Sequence, residues 1–310
     1  MPEPPPERLI GAYGDPAGPG PLVVAICGIH GNEPAGGVAA RRVLAWLEAA
    51  RPAFGGRFVA LNGHLAALRL MQRGIDGDLN RRWSSARVAA LREGTLRRRD
   101  AEDHEQAQLL GVLDAALAGA RGPVLGLDLH SFSAPGPPFV VTRAAGPELA
   151  FAAELGVPVL VSLERFIGGT ILELFSDEGL PILGFEAGRH DDPATVDAHA
   201  ALIRLALAEL GAVARESLPD EAADRALLTA VGRGLPRVVE VTHRHPLEPR
   251  DGFRMRPGFH NLVFVSRGEA LADDRHGVVR APRDGWLLMP LYQGAGEDGF
   301  FLAVERPLHG

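Results

Sequence analysis

The chain of 310 residues contains no lysine; all 32 basic side chains are arginine. Schiff-base aldolases, pyridoxal-phosphate enzymes and Walker-A nucleotidases need a lysine amine at the centre of their chemistry, so these classes are excluded. Cysteine is nearly absent as well. With Cys27 alone, neither an internal disulfide nor a cysteine-cluster metal site can form, which fits a reducing compartment. No run approaches the ~20 apolar residues of a membrane-spanning helix. The start, MPEPPPERLIG, lacks the basic and apolar stretches of a secretory signal. A cytoplasmic protein with no membrane partner is the expectation. Positive charge is also in deficit: 32 basic against 39 acidic side chains leave −7, which does not favour a nucleic-acid partner.

What is present is a globular composition, 46% hydrophobic and 23% charged, long enough for one large domain or two ordinary ones. Abundant Ala, Gly, Pro and Arg read as GC-rich codon usage. The first two thirds alternate apolar strand-like runs with helical patterns. Strands are expected at 22–30, 57–63, 124–131, 138–143, 158–163 and 181–188, several continuously apolar as in strands covered on both faces. Helices are expected from Ala35 to Ala50, Ala101 to Ala120 and Thr195 to Leu210, which together indicate an α/β layered sheet. From Leu235 onward, VVEVTH, NLVFVS, GVVRAP, WLLMPLY and GFFLAV are short strands between Gly, Pro and Asp turns, read as an all-β subdomain. The expected division is a catalytic domain over 1–216, a linker with one helix over 217–234, and a β-rich subdomain over 235–310. The charged run TLRRRDAEDHE (95–105) reads as a solvated loop or helix start.

Four segments carry chemistry. In GIHGNEPAGG (28–37), His30 stands at the carboxyl end of a strand, where α/β sheets bind ligands. Glu33 enters the next helix, with Asn32 as N-cap and Pro34 in the first turn. His and Glu so spaced can share a metal ion; an ordinary turn histidine, with Glu33 favoured by the helix dipole, is the alternative. LGLDLHSF (125–132) brings His130 to a second strand end, completing a His₂Glu set of the catalytic zinc type, with Asp128 on the same face to orient an imidazole. In the loop MQRGIDGDLNRRW (71–83), Asn80 and Arg81 suit a carboxylate, Arg73 can polarise a carbonyl, and Asp76 and Asp78 would hold the arginines. In PILGFEAGRH (181–190), Glu186 is a carboxylate in an apolar strand, either functional as general base and acid or paired with an arginine such as Arg189.

HGNE, DLNR, DLH and the FEAG strand, in that order, resemble the succinylglutamate desuccinylase/aspartoacylase family of the zinc carboxypeptidase superfamily, clearly over residues 20–215. The resemblance implies a mixed sheet flanked by helices and a β-rich C-terminal part. It implies one zinc ion per chain on His30, Glu33 and His130, with Glu186 as base and acid. Arg73 would polarise the carbonyl, and Asn80 and Arg81 would bind the substrate's carboxylate. Two positions depart from the pattern. Ser176 stands where aspartoacylases carry an arginine for the aspartate side chain, and Phe300 and Phe301 stand in the stretch of a substrate-binding tyrosine. N-acetylaspartate is therefore a poor candidate, and a less acidic N-acyl amino acid a better one.

Three features are set aside. GAGEDG (294–299) is followed by a strand-like run rather than a helix, so it is read as a turn, not a dinucleotide site. His243 and His245 share a strand face without a carboxylate motif, and Cys27 reads as a small core residue. The expected activity is a zinc-dependent deacylase acting on a small carboxylate-bearing molecule, with a homo-oligomer compatible with the sequence. The rivals are a peptide metallocarboxypeptidase and a non-catalytic metal-binding protein on the same scaffold. A C-terminal region that roofs the site would favour the deacylase.

Overall fold

In the computed structural model, which describes residues 5–248, 250–294 and 296–307, the apolar runs become the middle of an eleven-stranded mixed sheet. The first four residues of the N-terminal stretch and Ala295 of GAGEDG lie outside the described residues. Strand β1 (Leu9–Gly14) edges the sheet antiparallel to β3 (Arg57–Asn62); β2 (Leu22–Cys27) and β4 (Val124–Phe132) follow, each parallel to its neighbour. Next comes β7 (Ile182–Arg189), parallel to β4, then β5 (Phe139–Val141), antiparallel to β7, and β6 (Val159–Val161).

Both faces of these strands are covered, which is why their sequences lack alternation. On one face, Val23, Ala25, Cys27, Leu125, Leu127, Leu129, Leu183 and Phe185 pack under α1 (Ala35–Ala50) and α7 (Pro193–Glu209). On the other, Leu22, Val24, Ile26 and Ile182 meet α4 (Ala101–Ala118) and α6 (Ile171–Asp177). Cys27 is thus a core residue beneath a helix. Short helices α2 (Leu65–Leu70), α3 (Ser85–Arg92) and α5 (Pro147–Glu154) fill the connections.

Aspartates start the longer helices. Asp100 caps α4 and Asp192 caps α7 ahead of Pro193, each accepting a backbone N–H of the first turn. The run 95–105 is therefore a loop up to Asp100 and a helix from Ala101. Helix α1 departs from expectation. It begins after Pro34 with no side-chain cap, and Asn32 instead donates to Gln293.

Beyond α8 (Glu221–Gly232), which docks on α7 through the Arg204–Asp224 ion pair, the chain turns to β structure. Strand β8 (Val238–Pro246) pairs parallel with β6, and β14 (Asp298–Glu305), β13 (Gly285–Leu288) and β10 (Val263–Val265) continue the same sheet antiparallel. Strands β9 (Arg254–Met255), β11 (Ala270–Asp274) and β12 (Gly277–Arg280) form a small second sheet. The C-terminal region is thus joined to the rest by one unbroken hydrogen-bonded sheet.

Candidate active site

The three residues proposed as metal ligands converge. After β2 the chain turns at Gly28, whose φ of +61° suits glycine, and at Gly31 it passes so close to α2 that a Cβ would stand 2.0 Å from the Ala67 carbonyl carbon. This tight turn brings His30 and Glu33 to the carboxyl end of β4. The Glu33 carboxylate lies between two imidazoles, 2.9 Å from Nδ1 of His30 and 2.9 Å from Nδ1 of His130. The Ser131 N–H donates to its Oε2 at 3.1 Å. All three residues are buried, and one donor atom from each falls within 4.8 Å of the others.

The outer ring nitrogens are held as firmly. Nε2 of His130 is 2.8 Å from Asp128, the partner expected from the sequence, and Nε2 of His30 is 3.1 Å from Asp78. A carboxylate behind each imidazole fixes the ring and strengthens it as a ligand. Asp78 also accepts from Arg73 at 2.8 Å, so it links the arginine to the histidine. Asp76 behaves differently: rather than holding an arginine, it accepts the Ala101 N–H at the start of α4.

Buried charges set the protonation states. Burial alone would raise the Glu33 carboxyl, but His30 and His130 hold it well below the ordinary range. Burial likewise opposes Asp78, which His30, Arg73 and Arg81 pull down. Burial would lower His130, yet Asp128 and Glu33 hold it well above the usual imidazole value. Two imidazoles and the carboxylate of Glu33, backed by Asp78 and Asp128, thus form a donor set that fits a divalent cation such as zinc.

Glu186 faces the same space from β7, in register with His130 on β4 and Phe139 on β5. Arg189 does not pair with it; its guanidinium binds Asp191 at 2.5 Å. Oε2 of Glu186 is shielded from solvent and has no hydrogen-bond partner. Burial pushes this carboxyl up to about 8, with Glu33 and Asp128 adding to the effect and His130 opposing it.

Residues 19–186, more than half of the chain, match the family model of the succinylglutamate desuccinylase/aspartoacylase catalytic domain. The chain belongs to this family. No curated protein matches it significantly in sequence. Solved structures of the succinylglutamate desuccinylase/aspartoacylase family share its fold. The succinylglutamate desuccinylase of Chromobacterium violaceum is 18% identical (TM-score 0.62, covering 94% of this chain and 87% of that one). A succinylglutamate desuccinylase/aspartoacylase from Rhodobacter sphaeroides is 19% identical (TM-score 0.65, 94% and 86%). The product-bound ectoine utilization protein EutE of Ruegeria pomeroyi is also 19% identical (TM-score 0.63, 95% and 87%). The fold is therefore that of a desuccinylase/aspartoacylase, a family of deacylating hydrolases. No described helix is long and apolar enough to cross a membrane.

The His-Glu-His group opens into a cavity of about 560 Å³ that Arg73, Asn80, Arg81 and Glu186 also line. Asn80 is occupied within the protein: its amide group donates to Asp128 and lies 3.2 Å from His130, and its carbonyl accepts the Ile171 N–H at the start of α6. Arg81 donates to the backbone carbonyl of Asn80 and to Asp298, and its Nε is ion-paired with Glu297 at 3.5 Å. Met289, Leu291, Gln293, Asp298 and Phe301 bring the C-terminal region into the cavity wall. Phe300 points the other way and stacks flat on His245, with centroids 4.9 Å apart. Among the described residues, only His30, Glu33 and His130 form a three-residue group suited to a metal, and neither His243 nor His245 belongs to it.

Several contributors escaped the sequence reading. Gln293 joins Asn32 to His190, and His190 pairs with the Ser131 hydroxyl, fastening the C-terminal loop beside the ligands. Behind the Arg73–Asp78 loop, Glu102 of α4 accepts the N–H groups of Ile75 and Asp76 and binds His64. His199 of α7, buried against the edge of Phe185, is kept neutral by burial, its pKa pushed down to about 3. Of these, only His190, the histidine after FEAG, offered a sequence signal.

Proposed function

We propose that the protein is a zinc-dependent amidohydrolase that removes the acyl group from a small N-acyl amino acid. The observation that carries this reading is the unpartnered carboxyl oxygen of Glu186, buried in the cavity beside the His30–Glu33–His130 group. An unpaired buried carboxyl is costly to maintain and is characteristic of a group reserved for proton transfer.

A zinc ion held by His30, Glu33 and His130, one per chain, would supply the Lewis acidity that activates water and the scissile carbonyl. Glu186 accepts the proton of the attacking water and returns it to the departing amine nitrogen. A carboxyl raised to about 8 can both hold and release a proton near neutrality. Arg73, fixed by Asp78 and directed at the cavity, stabilises the negative charge that grows on the carbonyl oxygen. Arg81, whose side chain lines the cavity, binds the substrate's carboxylate. Asn80 supports the site by tying β4 to α6. The C-terminal residues in the cavity wall favour a small substrate over the peptide of a carboxypeptidase.

The test is Glu186→Gln. The variant should keep close to one zinc per chain while hydrolysis of an N-acyl amino acid panel falls about 10³-fold or more. Full activity in the variant would overturn the reading.

A further inference from the structure

The cavity has two unlike ends. At one stand the imidazoles and carboxylates described above. From Glu186 the other end runs back along β7, where residues 186, 184 and 182 share one face. Gly184 lies about 6.6 Å from Glu186 along the strand and Ile182 as far again, by the rise of a β-strand. In register with Gly184, β5 supplies Val141. A methyl group on Gly184 would meet Val141 and Leu172 at 3.3 Å each, so the bare glycine lets these two apolar side chains close against the strand and line this end of the cavity. Leu172 and Ser176, one turn apart on α6, line the opposite wall, and Leu163 and Ile167 join the same lining.

We infer that this arm receives an apolar side chain on the leaving amine, so that the preferred substrate is the N-acyl derivative of an aliphatic or aromatic amino acid rather than an acidic one. The inference rests on the deacylase reading, because that reading sets the direction of the substrate. Glu186 must reach the amide nitrogen, so the amine half lies against Glu186 and its side chain continues over Gly184. A straight chain of four carbons matches the distance from Glu186 to Gly184. An anionic side chain finds no partner there. Arg73 and Arg81 serve the metal end, Arg143 stands exposed at the rim, and the carboxylates of Glu173 and Asp177 line the cavity on the α6 side. Glu173 is already bound to the Gly169 N–H at 2.6 Å.

The zinc-loaded protein is assayed on N-acetylglycine, N-acetyl-L-norleucine, N-acetyl-L-aspartate and N-hexanoylglycine. Calorimetry with free L-norleucine and L-aspartate supplies a readout independent of turnover. The norleucine derivative should exceed the glycine derivative in kcat/KM by about 100-fold, and free norleucine should bind at least about tenfold more tightly than aspartate. Gly184→Val should reduce the norleucine-to-glycine ratio to about tenfold or less, and the milder Gly184→Ala should lower it in the same direction. Equal or better turnover of the aspartate derivative overturns the inference, as does a preference for N-hexanoylglycine, which would seat the acyl chain in the arm. Hydrolysis without side-chain preference overturns the arm and leaves the deacylase reading standing. No hydrolysis of any compound, with norleucine binding that Gly184→Val weakens, supports the arm and overturns the deacylase reading. No hydrolysis and no discrimination in binding overturns both.

Discussion

Strands β4 and β7 present opposite compositions on their two faces. Toward α1 and α7 they carry Leu125, Leu127, Leu129, Leu183 and Phe185, sealed from solvent. Toward α6 and the cavity they carry Gly126, Asp128, His130, Ile182, Gly184 and Glu186. The first face gains stability from apolar area alone and needs no particular geometry beyond close packing. On the second, each carboxylate and imidazole is acceptable in the interior only with a partner at hydrogen-bond distance, and Glu186 is the exception that points to chemistry. One face folds the protein, and the other is tolerated because the first is so apolar.

The comparison can be pressed from both sides. Leu127→Ala, on the sealed face, should destabilise the protein by about 2–5 kcal/mol in denaturant unfolding while activity per folded molecule changes little. A matching loss of activity would show that the two faces are not separable. Glu102→Ala should cost less, about 1–3 kcal/mol, by stranding the N–H groups of Ile75 and Asp76. Its larger signature is a drop of about tenfold in kcat/KM, because the released loop carries Arg73 and Asp78. Wild-type kinetics in that variant would mean that the loop holds its shape without α4.

The smallest effect concerns acid. Burial would raise the Glu105 carboxyl, but His64, the Ala66 N–H and Arg8 pull it down to about 2 from an ordinary value of 4.5. A depressed carboxyl contributes stability that is present above pH 4.5 and lost as pH falls through 2. Thermal unfolding of Glu105→Gln should show a midpoint a few degrees lower at neutral pH, with the gap to wild type closing toward pH 2. A gap that stays constant with pH would refute the assignment.

Much of this was legible in the sequence because it depends on local order. Continuous apolar runs announced β2, β4 and β7, and strand ends carrying His30 and His130 announced the site. The edge strand β1, LIGAYG, is interrupted by two glycines and carries no continuous apolar run, so it gave no such signal. Helix α6 is seven residues long, too short for a period to register, yet it forms one wall of the cavity. The tie between Asp78 and His30 spans 48 positions, and that between Gln293 and Asn32 spans 261. No spacing rule reaches that far. Five C-terminal strands were visible as strands while β9 and β11 were not, and because their partner β6 is three residues long, continuity with it depends on register rather than composition.

That continuity governs when the molecule becomes competent during its synthesis. The cavity wall needs Gln293, Asp298 and Phe301, and the strand that carries the last two, β14, pairs with β8 on one side and β13 on the other. A nascent chain can assemble β1 to β7 with their helices and align His30, Glu33 and His130 long before residues 289–305 have emerged. It can close the pocket around a substrate only afterwards, so the last strand of the sheet acts as a timer on the whole site.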